Sequence, residues 1–307
     1  AGLGPLAVGS DGGGSIRIPS SFCGIYGLKP NLGRVPQYPV QLGLDFLSHA
    51  GPMTRTVEDA GLMLDVMAGP DDRDISTLPP PPSSFRNAAL NPDVAGLRVA
   101  WSPTLGYAVV DREVAEATAN AARVFEAIGC RVEEIEHVFD DPGEAWFTLF
   151  CSGYAAARQA DLDRVRDVME PLFLEFVEIG LKKSAVDFAL AAYERRRLMQ
   201  RMGKLLTDFD ILLTPTVAVP PLPIGVDNPS KIEGKEMRLF GWIPFTYPFN
   251  MTGQPAASVP CGYTEDGRPI GLQIVGRRFD EYTVLRASAA FEVAAPWADR
   301  RPPAPFG

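Results

Sequence analysis

Histidine is almost missing from this chain: His49 and His137 are the two in 307 residues. That scarcity leaves little material for a histidine-ligated metal centre or a histidine-based triad. Cysteine is thin as well. Cys23, Cys130, Cys151 and Cys261 are scattered without a Cys-x-x-Cys pair. Their spacing argues against a metal site and for free, mostly buried thiols in a reducing cytoplasm, the expected compartment. No apolar run approaches the roughly 20 residues of a membrane span, so no membrane partner is expected. Basic charge is short too. A net charge of −9 speaks against a nucleic-acid surface, which needs concentrated Lys and Arg. Internal repeats are lacking, and the first residues carry no basic signal-peptide region. What remains, 46% hydrophobic and 22% charged residues, is the composition of an ordinary globular protein.

The pattern along the chain mixes strands and helices. Thr56-Val57-Glu58-Asp59 offers a variant capping box before the apolar positions Leu62, Leu64 and Val66, and Gly69-Pro70 supplies a stop. Asp71 to Pro92 reads as a surface loop rich in proline. Leu97 to Trp101 reads as a strand. A helix capped by Asp111 follows, with Val114, Ala117, Ala121, Val124, Phe125 and Ile128 on one face and Gly129 as its stop. With a second strand over Arg131 to Ile135, this gives a strand–helix–strand unit and a parallel pair. Residues 143–207 read as mostly helical, with a second box variant at Ser184 to Asp187 and a solvated arginine triplet at 195–197. Asp210 to Pro215 is a short apolar strand. Ala256 to Cys261 and Gly271 to Gly276 bracket the turn Thr264-Glu265-Asp266-Gly267 as a hairpin. The fold class expected is α/β: a mixed, mostly parallel twisted sheet with helices on both faces.

One stretch carries the chemistry: Ser10-Asp11-Gly12-Gly13-Gly14-Ser15-Ile16-Arg17. Three glycines in a row mark backbone that takes unusual dihedrals or admits a close approach. A phosphate loop needs GxxxxGK[ST] or GxGxxG, and neither spacing is present. A tight turn in a core is one reading. The other is a serine at the end of a turn whose N–H groups converge where negative charge develops on a carbonyl oxygen. Such a serine needs a base. The G-x-S-x-G elbow is absent, and nothing in the pattern aims His49 or His137 at Ser15, which leaves a lysine-based arrangement.

Gly9 to Pro19, followed by Phe22-Cys23-Gly24 and Gly27-Leu28-Lys29-Pro30, resembles the amidase signature family. The likeness continues through Gly33-Arg34-Val35-Pro36 and Leu47 to Arg55. It resumes at Leu213-Thr214-Pro215-Thr216, Pro248 to Ala256 and Gly271 to Gly276, with a divergent stretch from about 70 to 205. The resemblance implies a serine amidase with a Ser–cis-Ser–Lys triad. It places the nucleophile at Ser15, the oxyanion hole at Gly12, Gly13 and Gly14 with Ser15, and site-bracing or substrate-binding roles at Asp11, Arg17, Thr214, Asn250 and Gln273. Phe249 and Met251 are expected to add apolar surface. A small-molecule amide is the implied substrate, with no metal or organic cofactor. In the family the bridging serine and the lysine lie upstream of the glycine run. Only 14 residues precede Ser15 here, without a lysine among them, and Lys29 matches the GLKP motif instead. A single domain over 1–307 is therefore expected, lacking its N-terminal portion, inactive alone, and prone to self-association into a homo-oligomer. Two alternatives stay open: the A-subunit of a glutamine-dependent amidotransferase, where Ile18 stands in place of the usual glutamine, and a non-catalytic homologue.

Overall fold

The computed structural model describes residues 4–39 and 46–301. Its strands are β1 Leu6–Asp11, β2 Tyr26–Lys29, β3 His49–Thr54, β4 Arg98–Trp101, β5 Arg131–Glu134, β6 Ile211–Pro215, β7 Lys231–Ile232, β8 Lys235–Glu236, β9 Ala256–Tyr263 and β10 Pro269–Gly276. The helices are α1 Arg17–Cys23, α2 Val57–Met67, α3 Phe85–Ala89, α4 Arg112–Ala127, α5 Gly143–Arg158, α6 Leu162–Val165, α7 Pro171–Leu181, α8 Ala185–Asp208, α9 Tyr247–Thr252 and α10 Glu281–Ala294. Eight strands form one mixed sheet in the order β1-β3-β2-β9-β10-β6-β4-β5, and β7 pairs with β8 alone.

Parallel pairing is confined to β5, β4 and β6, and every other neighbour in the large sheet is antiparallel. The connections explain the division. Helix α4 carries the chain from β4 to the parallel β5, as a crossover must, while β9 and β10 are joined by a tight turn that returns the chain antiparallel. The hairpin lies where its apolar runs and turn predict, with Gln273 opposite Ser258.

The central strands are buried on both faces, so their alternate residues enter two different cores. Ile211, Leu213, Leu272 and Ile274 pack with α2, α4 and α10. Leu212 and Val275 face the opposite way, among Trp146 and Leu149 of α5, Leu198 and Met202 of α8, and Phe249 and Met251 of α9. By the same alternation Thr214 and Gln273, paired in register, point into this second layer.

The caps largely follow the sequence. Asp111 accepts the N–H groups of Glu113 and Val114, and Ser184 with Asp187 forms a complete capping box. Two expectations are corrected. Leu62 and Val66 are exposed and Val57, Ala60 and Leu64 are buried in α2, because residues two apart on a helix do not share a face. The loop from Asp71 to Pro92 contains helix α3. Ser84 caps it, the Asp65 carboxylate takes the Phe85 and Arg86 N–H groups at 2.6 and 3.2 Å, and the buried Phe85 ring anchors it to Tyr282.

Candidate active site

The glycine run sits between β1 and α1, at the margin of the second core. Each glycine has its own reason. A Cβ at Gly13 would lie 2.5 Å from the Trp146 ring, and one at Gly14, where φ is +137°, would lie 2.6 Å from Thr246 Oγ1. At Gly12 the nearest atom is Phe150 Cε2, 4.0 Å away. Gly12 therefore has the room for a side chain that Gly13 and Gly14 lack, and Ser15 beyond them is exposed.

Beneath the loop lies a network of side chains without exposed surface. Arg17 forms a bidentate pair with Asp11, Nε to Oδ2 at 3.0 Å and Nη2 to Oδ1 at 2.9 Å. Its remaining donors reach Asn250 Oδ1 and Gln273 Oε1, both at 2.7 Å, and the Thr246 carbonyl at 2.9 Å. Gln273 in turn donates to Thr214 Oγ1 at 3.0 Å and the Phe245 carbonyl at 2.8 Å. Burial raises the Asp11 carboxyl, but the charge and hydrogen bonds of Arg17, with Lys29 and Asn250, outweigh it and hold the group well below the usual carboxylate range. Asp11 is thus ionised, and both carboxylate oxygens serve the loop: Oδ1 accepts the Gly14 N–H at 2.7 Å and Oδ2 the Ile16 N–H at 3.2 Å.

The loop carbonyls are pinned one by one. Asn250 Nδ2 donates to the Asp11 carbonyl at 2.7 Å, Trp146 Nε1 to that of Gly12 at 3.1 Å, Thr246 Oγ1 to that of Gly13 at 2.6 Å, and the Ile18 N–H to that of Gly14 at 2.7 Å. The Gly14 N–H is taken up by Asp11. Those of Gly12, Gly13 and Ser15 have no partner among the described residues. Three backbone donors of the loop that carries the exposed Ser15 are thus left unspent among the described residues.

All nine residues singled out from the sequence thus gather here, but not in one layer. Thr214, Asn250 and Gln273 are fully buried, with Asn250 and Gln273 bonded directly to Arg17 and Thr214 bonded through Gln273. Phe249 and Met251 are likewise closed off in the second core. Thr246 and Trp146 were missed. Thr246 stands just before Pro248 to Ala256 and bears no motif of its own, and Trp146 lies in the divergent stretch.

Neither of the chain's buried bases touches Ser15 among the described residues. Lys29 Nζ is held by the Pro30 and Gln254 carbonyls, and burial with the nearby Arg17 charge lowers its pKa well below a free lysine's. His49 Nδ1 faces the Leu47 and Asp11 carbonyls at 2.8 and 3.3 Å, so Nδ1 carries the proton. Burial and the Lys29 charge hold this imidazole neutral. No group of three or more metal-ligating side chains occurs among the described residues, and no described helix is long and apolar enough to cross a membrane.

Comparison with known proteins places residues 1–285 within a match to the amidase family model. An acylamidase of Rhodococcus erythropolis is 40% identical over 306 residues, covering 98% of this chain and 64% of that protein. The A-subunit of the glutamyl-tRNA(Gln) amidotransferase of Oceanobacillus iheyensis is 32% identical over 322 residues, covering 97% of this chain and 65% of that one. The crystal structure of a bacterial aryl acylamidase of the amidase signature enzymes superposes with a TM-score of 0.88 at 33% identity, over 97% of this chain and 64% of its own. The chain thus spans just under two thirds of the length of these relatives.

Proposed function

Because this chain belongs to the amidase signature family, we propose that the protein hydrolyses the C–N bond of a small carboxamide through an acyl-enzyme on Ser15. The observation that carries this reading is that the Gly12, Gly13 and Ser15 amides have no partner among the described residues, in the loop that presents the exposed Ser15. Ser15 Oγ attacks the carbonyl carbon, and the carbonyl oxygen becomes the oxyanion that these amides hold. The tetrahedral adduct collapses with loss of the amine, and water then cleaves the ester. The base is a lysine acting through a second, bridging serine, as the family resemblance implies; it takes the Ser15 proton and returns one to the leaving nitrogen. Asp11, Arg17, Asn250, Gln273 and Thr214 act as the brace that holds the loop, since their polar atoms are spent on one another and on loop backbone. Gly14 belongs to that brace and not to the oxyanion hole, because its N–H serves Asp11. Phe150, half-buried beside Gly12, offers apolar surface to the substrate.

The test is chemical. A fluorophosphonate probe is expected to label Ser15 in the full-length protein, and Ser15→Ala to reduce amide turnover to near background. Full turnover in Ser15→Ala, with labelling elsewhere, overturns the assignment. A second reading is favoured by the 32% identity to amidotransferase A-subunits: ammonia released at Ser15 is passed to an acyl-tRNA in a larger assembly. Glutamine-dependent amidation by a co-purified complex, in place of hydrolysis by the isolated protein, supports that reading.

A further inference from the structure

We propose that Trp146 is a positioning residue for the reaction, its indole N–H aiming the Gly13 amide at the oxyanion. The inference rests on the assignment of Ser15 as nucleophile and extends it to a side chain outside the glycine run and the brace.

In a trans peptide the C=O and N–H point in opposite directions, so whatever fixes the oxygen also fixes the hydrogen. Four successive peptides of the loop can be read this way. The Asp11 carbonyl is held by Asn250, which aims the Gly12 N–H. The Gly13 carbonyl is held by Thr246, and the Gly14 N–H accordingly points the other way, onto Asp11. The Gly14 carbonyl is held within the start of α1, which aims the Ser15 N–H. The peptide between Gly12 and Gly13 differs. Its N–H has no partner among the described residues, and its oxygen has one anchor, Trp146 Nε1 at 3.1 Å. Without that bond the flanking glycine dihedrals, free of any Cβ, leave this peptide able to rotate.

The indole is itself held firmly. Its ring stacks on Tyr247 of α9 with centroids 5.0 Å apart and planes 18° from parallel. Tyr247 donates its hydroxyl to Asp141 Oδ1 at 2.8 Å, and Arg238 binds the other oxygen of that carboxylate at 2.6 Å. Phe150 at 4.8 Å and Phe240 edge-on at 5.5 Å close the remaining sides. Rotation of the ring is blocked, so Nε1 stays on the Gly12 oxygen before substrate arrives. Preorganised donors of this kind lower the barrier because nothing has to turn at the moment of reaction.

The test separates the N–H from the ring. Trp146 is replaced by benzothienylalanine, which keeps both rings and deletes only the N–H, and in parallel by phenylalanine. Each variant of the full-length enzyme is assayed for kcat, KM and the affinity of a boronic acid, which binds a serine as a tetrahedral anion. Losing one oxyanion-hole donor costs about 100- to 1,000-fold in kcat, and misaiming one costs part of that. The expected result is a fall of roughly 10- to 100-fold in kcat and a parallel loss of boronic-acid affinity, with KM unchanged within about twofold. A crystal structure of the benzothienylalanine variant is expected to show the Gly12–Gly13 peptide turned. Unchanged kcat and boronic-acid affinity, in a protein that Ser15→Ala inactivates, overturn the role of Trp146 alone. Turnover that survives Ser15→Ala overturns the underlying reading.

Discussion

Arg17 and Asp11 are both without exposed surface, so each charge depends on buried partners, chiefly the other, with Lys29 close by. Removing one partner of such a pair strands the other in a medium that solvates it poorly, at a cost of about 3–5 kcal/mol. Asp11→Asn is therefore expected to lower unfolding stability by that order in a urea melt. Asp11→Asn with Arg17→Met is expected to lose less than the sum of the two single changes, since neither charge is then left alone. His49 gives a second residue-level expectation. Its folded pKa lies well below the ordinary value through burial and the Lys29 charge, with Arg17 adding to the shift and Asp11 opposing it. In the unfolded chain the imidazole titrates near about 6.5. Between those values the unfolded state binds the extra proton, so stability falls as the pH drops below about 6.5. The slope from this one group approaches about 1.4 kcal/mol per pH unit. His49→Asn is expected to flatten the dependence of the melting temperature between about pH 6.5 and 5 by one proton's worth. Asp11 does not contribute there, because its unfolded-state carboxyl titrates below this window.

Among the elements, α4 is the one whose beginning is most plainly written in the sequence. Asp111 caps two of its first N–H groups, and Asp111→Ala is expected to cost about 1 kcal/mol of stability, read from a shifted denaturant midpoint at constant slope. The same directness applies to the β9–β10 hairpin, where two apolar runs bracket a turn, and to the apolar end of β4. Helix α3 was hidden because its signal is tertiary: five residues in a proline-rich stretch are held by Asp65, 20 positions before Phe85. The extent of antiparallel pairing was hidden for a similar reason. Composition tells a strand from a helix, but not which strand lies beside it. In the site, Asp11 to Arg17 was legible because glycine, serine and charge stand in one short motif. Trp146 was not, because an aromatic residue on a helix reads as core until the fold brings it against a backbone carbonyl 134 residues away.

At the scale of the molecule, two cores share one sheet, and the candidate site belongs to only one of them. Gln273 binds Arg17, with Thr214 bonded behind it, from strands whose other faces pack against α2, α4 and α10. Three of the four thiols differ sharply in burial. Burial pushes Cys130 up to about 11 and Cys151 up to about 12, whereas Cys23 is exposed. At about pH 8, Cys23 is expected to react with a disulfide reagent within minutes, with Cys130 and Cys151 following only as the protein unfolds. The span of the brace also orders events during synthesis. Arg17 waits for Gln273, which is 256 residues further along the chain. At about 5–20 residues per second, a ribosome needs roughly 13 to 50 s to make that interval. Through most of it the glycine run is already outside the exit tunnel, hydrated and without Asn250 or Thr246 to set its peptides. The serine is born long before the residues that give it its surroundings, so the loop around it takes its final form only once the β9–β10 hairpin has emerged.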